Sequence, residues 1–347
     1  MTAKIIKVNS QKLEEITGAA EIIKEGNLVA FPTETVYGLG ANALDKKAIK
    51  KIFEAKGRPL DNPLIVHVAD YDDIFKIAQK IPKIAKTLAT KFWPGPLTLI
   101  FFKKRIIPDE VTAGGNTVAI RIPKNKIALE LIKSAGVPIA APSANLAGRL
   151  SPTTAQHVFE DLGNKIDLIL DGGRTKIGIE STVVDLTINP PQILRPGGIS
   201  FEKLKKVLKN LQLHPSLLGK KIQEKTKSPG MKYRHYAPQA HLILIKGDLK
   251  RRGQKIQDLI VKYKKEGKKV GLLTLLEREK FYKGSDLVLS VGSEKNLKEV
   301  AQNLFKTLRK FDEMGMDIIL SETFSRKEIG FAIMDRLEKA AKKGKLD

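Results

Sequence analysis

Two patterns of apolar residues follow one another along this chain. Short continuous apolar runs predict strands, and apolar residues at helical spacing predict helices. Before residue 210, short apolar runs predict buried strands at Asn27–Phe31, Leu64–Val68, Leu97–Phe102, Val118–Ile122 and Val137–Ala141. Helical spacing between these runs predicts helices at Asp45–Ala55, with Asp45 as the N-cap, and at Tyr71–Phe92, interrupted at Pro82. This alternation predicts a mixed α/β domain around a large twisted sheet.

The pattern weakens after about residue 210 and resumes near residue 240. Further apolar runs predict four more strands, at His241–Ile245, Lys269–Leu275, Asp286–Val291 and Asp317–Leu320. Amphipathic helices, including Asn296–Met314 and Lys327–Lys342, separate them. Right-handed crossovers between such strands imply a small, mostly parallel, Rossmann-like sheet. We therefore expect one domain over residues 1–210, a linker over 211–239 and a second domain over 240–347.

The end of this linker, Ser228–Pro238, has an unusual composition. Two tyrosines, an arginine and a histidine occupy four consecutive positions, 233–236. These side chains could fold over a ligand. The flanking prolines are equally typical of an ordinary exposed connector. The residues alone leave both interpretations open.

Composition excludes several classes of site. The 347-residue chain contains no cysteine, which excludes disulfides, thiol nucleophiles and Cys-ligated metals. Its five histidines are scattered, so we expect no metal site formed by the protein. No apolar stretch reaches about 20 residues, which predicts no membrane segment. Met1–Val8 alternates like a strand and not like a signal peptide, so we expect a cytoplasmic location.

The formal net charge of +24 is compatible with an RNA partner or with attraction of a polyanion such as ATP. Many lysines nevertheless occur in patterns such as Lys46–Ile52, where apolar residues recur at helical spacing and lysine fills the outer face. Such faces are usually solvated surfaces. The charge alone therefore does not decide between these interpretations.

Small, hydroxylated and cationic residues cluster at the ends of apolar runs in three places, Pro32–Gly40, Lys56–Pro59 and Pro142–Asn145. Open α/β folds bind ligands where strands end, because the backbone groups are free there and side chains converge. Ser143 and Asn145 are well placed for hydrogen bonds to phosphate or ribose. The three clusters predict an anion-binding catalytic cleft.

Three of the cationic or titratable positions have a structural as well as a functional interpretation. Lys56 follows a helix, where the dipole favours a cation without any ligand. His67, inside a predicted strand, is the kind of residue that is usually a satisfied core group. Arg121 lies inside the predicted strand Val118–Ile122, where burial of its charge would be costly unless a carboxylate or another anion meets it. The sequence shows no evident Ser/His/Asp set, so the spacing of residues does not suggest covalent catalysis.

Together these motifs resemble the YrdC-like family of threonylcarbamoyl-AMP synthases, in the long form with an additional C-terminal domain. Four motifs carry the resemblance, and they stand in order as Pro32–Leu39, Lys56/Arg58, Ser143/Asn145 and Ser181–Val183. The resemblance covers essentially the whole chain, more loosely beyond residue 200. It implies an α/β fold with an N-terminal YrdC-like twisted mixed sheet and flanking helices, plus a smaller C-terminal Rossmann-like parallel α/β domain.

The resemblance also implies an activity. Such a nucleotidyltransferase converts L-threonine, bicarbonate and ATP, with Mg²⁺, to threonylcarbamoyl-AMP and pyrophosphate. The product feeds the tRNA threonylcarbamoyl-transferase machinery, which modifies adenosine beside the anticodon, and the basic charge is compatible with a weak contact with tRNA. Residues 1–210 would be the catalytic domain, and the linker 211–239 would fold over the active site.

Site residues follow from the same resemblance. Five would hold L-threonine, with Arg121 clamping its carboxylate: Thr35, His67, Arg121, Ala141 and Ser181. Nine would form the ATP pocket: Lys56, Arg58, Asn62, Thr117, Ser143, Asn145, Ser151, Arg195 and Tyr236. Lys56 and Arg58 would be catalytic, stabilising with Mg²⁺ the charge that develops on the phosphates.

Two alternatives remain open at this point. A basic RNA-binding module would use the same polar clusters to contact phosphates, and its affinity would fall steeply with salt. An ATP-dependent enzyme that makes a different acyl-adenylate would keep the nucleotide residues but need another acceptor pocket. Amino-acid selectivity separates this second alternative from the threonine enzyme.

Overall fold

The computed structural model describes residues 2–8, 13–220, 226–230 and 236–341, which form two compact units. The first unit contains the described residues up to 147, together with 151–220 and 226–230. The second contains residues 148–150 and 236–341. The second unit is thus built from two stretches far apart in the sequence. The expected division into a catalytic domain, a linker over the active site and a second domain stays a prediction.

Most of the first unit is a mixed sheet with helices around it. Its strands among the described residues are β1 Lys4–Lys7, β2 Val29–Phe31, β3 Gly38–Asn42, β4 Ile65–His67, β5 Ala78–Gln79, β6 Leu97–Lys103, β7 Thr117–Arg121, β8 Ile139–Ala140, β9 Leu168–Asp171, β10 Thr182–Asp185, β11 Gln192–Arg195 and β12 Gln212–Leu213. Its helices are α1 Leu13–Lys24, α2 Lys46–Lys56, α3 Ile74–Ile77, α4 Lys83–Phe92, α5 Asp109–Thr112, α6 Lys126–Ala135, α7 Ala155–Leu162 and α8 Phe201–Lys205, and a 3₁₀ turn follows at Pro215–Leu218.

The strand order of this sheet is β1-β9-β2-β3-β8-β4-β7-β6-β10-β11-β12, with β5 paired to β6. Parallel pairs such as β4/β7 and β6/β10 alternate with antiparallel pairs such as β7/β6 and β10/β11. Apolar side chains cover both faces. Helices α1 and α6 pack over one end of the sheet with Ile16, Ile23 and Leu131 in a buried cluster. The predicted mixed twisted sheet with flanking helices is confirmed.

Helix α2 shows how local sequence places a site residue. Asp45 caps its first turn by accepting from the main-chain N–H of Lys47 at 2.7 Å, as predicted. Gly57 ends it in a left-handed conformation, φ 58°, which favours glycine. Ile49, Ile52 and other apolar residues bury one face. Lys56 is therefore held at a fixed point, the last residue of the helix.

In the first unit one prediction is wrong in detail and one strand was not predicted. The helix expected at Tyr71–Phe92, interrupted at Pro82, is α3 and α4. Helix α4 does begin after Pro82, but the break is longer than expected because Ala78–Gln79 pairs with Phe102–Lys103 as a strand. Gly38–Asn42 is a strand that the apolar pattern did not predict. It consists largely of small residues, and a Cβ on Gly40 would lie 2.8 Å from the Phe31 ring. Strand β3 therefore owes its small residues to close packing against Phe31, and it lacks the β-branched residues typical of strands.

The second unit has a four-stranded sheet in the order β13-β16-β14-β15, with every described pair parallel. Its elements are β13 His241–Ile245, α9 Leu249–Lys265, β14 Val270–Thr274, a 3₁₀ turn at Leu276–Phe281, β15 Leu287–Ser290, α10 Leu297–Glu313, β16 Ile318–Glu322 and α11 Gly330–Ala340. The predicted parallel, Rossmann-like α/β arrangement is confirmed. No helix among the described residues is both long and apolar enough to cross a bilayer.

Candidate active site

Several predicted site residues meet at one edge of the large sheet. Strands β4 and β7 run parallel and end side by side at His67 and Arg121. Strand β11 ends at Arg195, and β10, its antiparallel neighbour, begins directly after Ser181. Because neighbouring strand ends in a sheet converge, the topology brings these four side chains to a common edge.

Arg121 is buried and has a protein carboxylate as its partner. Its Nη2 lies 2.7 Å from Oε1 of Glu34, and its Nε donates to the Gly95 carbonyl at 3.2 Å. The main-chain N–H of Lys124 donates to the other Glu34 oxygen at 3.0 Å. The sequence required an anion to meet Arg121, and Glu34 supplies one. Glu34 was quoted within a motif but missed as a site residue, because it lies 87 positions from its partner.

His67 sits next to this ion pair in an environment that keeps it neutral. Burial, assisted by the positive charge of Arg121, lowers the pKa of His67 to about 3. Its ring packs edge-on against Phe31, with the centroids 6.3 Å apart. Its Nδ1 has no hydrogen-bond partner within the described part of the chain. A neutral imidazole with an unused nitrogen is suited to accept a hydrogen bond from a ligand.

Ser181 and Arg195 are joined directly. Arg195 donates from Nη2 to the Ser181 hydroxyl at 3.0 Å and from Nε to the Ser181 carbonyl at 3.1 Å. The hydroxyls of Ser181 and Thr98 lie 2.8 Å apart. Gly197 is required here, because a Cβ would lie 2.4 to 2.5 Å from main-chain atoms of residues 180–182. The backbone thus packs too closely for any other residue to fit without movement.

Lys56 reaches across to the Ser143–Asn145 turn. Its ammonium donates to the carbonyl of Ser143 at 2.5 Å and to that of Asn145. The Asn145 side chain donates to the Leu146 carbonyl at 2.8 Å. Burial, together with the positive charge of Arg58, lowers the pKa of Lys56 well below its ordinary value. The Lys-x-Arg and Ser-x-Asn motifs therefore meet in space, with the lysine fixing the loop.

Arg58 lies beside Lys56 and shapes the loop that follows it. Its guanidinium donates to the carbonyls of Asn62 and Pro63 at 3.0 to 3.2 Å. Asn62 is buried, and its Oδ1 has no hydrogen-bond partner among the described residues. A cavity of about 290 Å³ in the first unit is lined partly by Pro63 and Thr117. Thr117 is thus a buried polar group beside open space, and Asn62 directly precedes Pro63, another residue of the lining.

The segment at residues 32–37 links the two groups of site residues. Glu34 pairs with Arg121, and the carbonyl of Thr35 accepts from Gly178, three residues before Ser181. The carbonyl of Tyr37 accepts from Ala144, in the turn that Lys56 holds. Thr35 is fully buried, and its hydroxyl lies 2.8 Å from that of Thr33. This polar segment is therefore one wall of the site.

The remaining predicted residues lie as follows. Ser151 donates to Oε1 of Glu180 at 2.5 Å in the first unit. Ala141 is buried, with its main-chain N–H donating to the Ile65 carbonyl at 2.9 Å. Tyr236 is buried in the second unit. Five residues of the predicted cover, Met231 to His235, lie outside the described residues, so the cover stays a prediction.

Metal ligands were expected to be absent from the protein itself. Within the described ranges, no group of three or more histidine, aspartate or glutamate residues is arranged to hold a metal ion. The carboxylates of the site, on Glu34 and Glu180, are already engaged by Arg121 and Ser151.

Two family models match most of this sequence. The Sua5/YciO/YrdC model, described as telomere recombination, matches residues 21–197. The Sua5 C-terminal model, described as threonylcarbamoyl-AMP synthase, C-terminal domain, matches residues 199–342.

Individual proteins resemble the chain over nearly its full length. A threonylcarbamoyl-AMP synthase of Pyrococcus abyssi is 51% identical over 333 residues, which cover 95% of this chain and 96% of that protein. One of Bacillus subtilis is 49% identical, covering 94% and 93% respectively. The crystal structure of P. abyssi Sua5 complexed with L-threonine matches with a TM-score of 0.93 and 50% identity, covering 98% of each chain.

Proposed function

The chain belongs to the Sua5/YrdC family, in the long form that carries the Sua5 C-terminal domain, and from this premise we propose that it is an L-threonylcarbamoyladenylate synthase. One observation carries the proposal, the full-length similarity to a structure complexed with L-threonine. The buried cations and hydroxyls around Lys56 and Arg121 support it, because they suit one carboxylate and one polyphosphate ligand.

The reaction consumes L-threonine, bicarbonate and ATP. The threonine amine and bicarbonate form a carbamate with loss of water. A carbamate oxygen then attacks the α-phosphate, and the bond to the β-phosphate breaks, so that threonylcarbamoyl-AMP and pyrophosphate result. No side chain has to act as a nucleophile. The protein contributes positioning and neutralisation of charge.

We place threonine among Thr35, His67, Arg121, Ala141 and Ser181. Arg121 has more N–H groups than Glu34 and Gly95 engage through the contacts described, so a substrate carboxylate would share the guanidinium. His67, neutral at physiological pH, would accept a hydrogen bond at Nδ1 without adding charge. A protonated histidine there would add a second buried cation beside Arg121, which the low pKa of His67 avoids.

We place the nucleotide among Lys56, Arg58, Asn62, Thr117, Ser143, Asn145, Ser151, Arg195 and Tyr236. Lys56 is already bonded to the Ser143 and Asn145 carbonyls, which supports a role in fixing the turn that would face the phosphates. Arg58, partly exposed, is better suited to contact a phosphate directly. Both side chains would favour the transition state, in which negative charge develops on the leaving pyrophosphate, and bound phosphates would themselves favour the protonated form of Lys56.

Mg²⁺ belongs to the proposal only as a companion of ATP. Within the described residues no set of protein ligands fits a resident metal ion, so no step is assigned to one. Mg²⁺ commonly binds through substrate phosphates and water, with few protein ligands. The residues described here would then contact the phosphates and not the ion.

Three further parts of the proposal concern the cellular role. The product would feed the tRNA threonylcarbamoyl-transferase machinery, with at most a weak contact between this protein and tRNA. We expect the protein to act in the cytoplasm. Bicarbonate would enter the same site as a substrate.

We also propose that Ser228–Pro238 covers the site and shields the labile carbamate and adenylate from water. One end of this segment has a support in the first unit, where Lys227 pairs with buried Asp185 at 2.9 Å and Ser228 is fully buried. Replacing Tyr233, Arg234 and His235 by alanine should slow adenylate formation. Unchanged turnover in that variant would refute the cover.

The test of function is pyrophosphate release from ATP with Mg²⁺. Threonine and bicarbonate are each omitted in turn, and serine replaces threonine in a third reaction. Release that needs both co-substrates and prefers threonine is the expected result. Release without threonine would indicate a plain nucleotidase, and release with another amino acid would indicate a different acyl-adenylate. No release combined with salt-sensitive RNA binding would indicate the RNA-binding module.

A further inference from the structure

Helix α10 presents Phe305, Arg309 and Asp312 on one face, because residues four and three positions apart lie one above another on a helix. We name these three residues the α10 clamp. Each contacts a segment that belongs to the same second unit as the helix. The sequence alone did not single out any of them.

Arg309 holds the short segment at residues 148–150. It is 8% exposed, and its Nη2 donates to the Leu150 carbonyl at 2.6 Å. The main-chain N–H of Ala237 donates to the Gly148 carbonyl at 3.0 Å. The segment is therefore fixed at both ends. A buried bond from a guanidinium is stronger than a bond between neutral groups, so Arg309 makes the firmer of these two attachments.

Phe305 holds Tyr236. The two rings stack with their centroids 5.7 Å apart at an angle of 22°. The Arg336 guanidinium lies 4.8 Å from the centroid of the tyrosine ring. Tyr236 has a φ of 65°, a left-handed conformation that residues with a Cβ rarely adopt. Packing by Phe305 and Arg336 must compensate for that conformation.

Asp312 completes the clamp on the chain that follows Tyr236. Its carboxylate accepts from the main-chain N–H groups of Gln239 and Ala240 at 2.9 to 3.1 Å. This attachment fixes the path from Tyr236 into β13. Tyr236 is thus held through its ring and through the chain that follows it.

We infer that the α10 clamp positions the nucleotide-binding residues of the enzyme, with Arg309 as its central positioning residue. The inference rests on the proposed function. Tyr236 belongs to the proposed nucleotide set, Leu150 directly precedes Ser151, and Gly148 lies three positions after Asn145. None of the proposed threonine residues adjoins a clamped segment in the sequence. The inference therefore concerns ATP binding, and we expect threonine binding not to depend on the clamp.

Arg309→Met removes the donor and keeps much of the side-chain volume. We expect it to raise the KM for ATP about tenfold, the size of a lost hydrogen bond to a charged group, with the KM for threonine changed less than twofold. Arg309→Lys restores a cationic donor and should recover part of the loss. Lys306→Met removes an exposed cation from the same helix and should behave as the wild type. Calorimetric titration with ATP provides a second readout that does not depend on turnover.

A merely structural role of Arg309 would lower kcat through loss of folded protein and leave both KM values unchanged. That result, or equal rises in both KM values, would overturn the inference. If Arg309→Met does not fold, Phe305→Leu decides, because it keeps apolar packing but loses the stack on Tyr236. An unchanged KM for ATP in that variant would also overturn the inference.

The same experiment distinguishes failure of the proposed function from failure of the clamp. A wild-type protein that releases no pyrophosphate from ATP and threonine contradicts the proposed function. A wild type that releases it, with an Arg309→Met variant indistinguishable from Lys306→Met, contradicts the clamp alone.

Discussion

At the scale of single residues, Lys56 is the clearest link between fold and chemistry. Its buried ammonium bonds to two carbonyls of one turn, and no other lysine of α2 is buried. Lys56→Met should reduce adenylate formation about 10²- to 10³-fold, the size seen for loss of one transition-state donor. Lys50→Met, an exposed neighbour on the same helix, should retain activity. Near-normal pyrophosphate release by Lys56→Met would remove Lys56 from the catalytic set.

His67 makes a prediction about pH. Its pKa is about 3 in the folded protein and ordinarily 6.5, so the unfolded chain binds more protons between these values. The free energy of unfolding therefore falls as pH drops below 6.5. By pH 5 the loss is about 2 kcal/mol at about 1.4 kcal/mol per unit. Urea titrations at pH 7 and 5 should show a smaller loss for His67→Gln than for the wild type. Equal losses would contradict this assignment.

The sequence predicted which polar residue types would be buried at the candidate site, but it did not predict how they pair. A buried arginine in a strand needs an anion nearby, so the sequence predicted a partner for Arg121. It did not identify Glu34, because the pairing depends on how distant strands meet. Likewise, Lys56 and Asn145 stood in separate motifs, and only the fold shows that the lysine holds the turn around the asparagine.

At the scale of elements, the sequence predicted the features that depend on neighbouring residues, such as helix caps and apolar strands. The helix expected at Asp45–Ala55 has Asp45 as its N-cap, and β13 has the bounds predicted from its apolar run. Strand β3 was missed because its glycines carry no apolar signal. The helix expected at Tyr71–Phe92 was wrong because Ala78–Gln79 pairs with a distant strand. Tertiary pairing overrode the local pattern in both cases.

Two glycines test the packing of these elements. Gly18 is exposed inside α1, and a Cβ there meets nothing within 4 Å. Gly18→Ala should stabilise the protein by about 0.5–1 kcal/mol, because glycine is a poor helix former. Gly197→Ala places a Cβ against main-chain atoms beside Ser181 and should destabilise it by about 1–3 kcal/mol. Urea titration measures both changes. A destabilising Gly18→Ala or a stabilising Gly197→Ala would contradict the packing at that glycine.

At the scale of the whole molecule, charge is the dominant property. The net charge of +24 opposes the compact state through self-repulsion, which salt screens within about 10 Å at 0.1 M. Raising NaCl from 10 to 150 mM should therefore raise the Tm by a few degrees, because about 1 kcal/mol corresponds to about 2–4 °C in large domains. KCl at the same ionic strength should raise the Tm by a similar amount. A Tm that falls with both salts would show that ion pairs outweigh repulsion.

The hydrogen bond from Arg309 to Leu150 joins positions 159 residues apart. During synthesis at about 5–20 residues per second, the acceptor leaves the ribosome about 10 to 30 seconds before the donor. In the last part of that interval, after Tyr236 has emerged, a nascent chain contains all the residues proposed for both substrates but not yet Arg309. If the proposed clamp is correct, a chain that stops before α10 keeps the residues proposed for threonine but should bind ATP weakly. The nucleotide site would then be completed only when synthesis has passed Arg309.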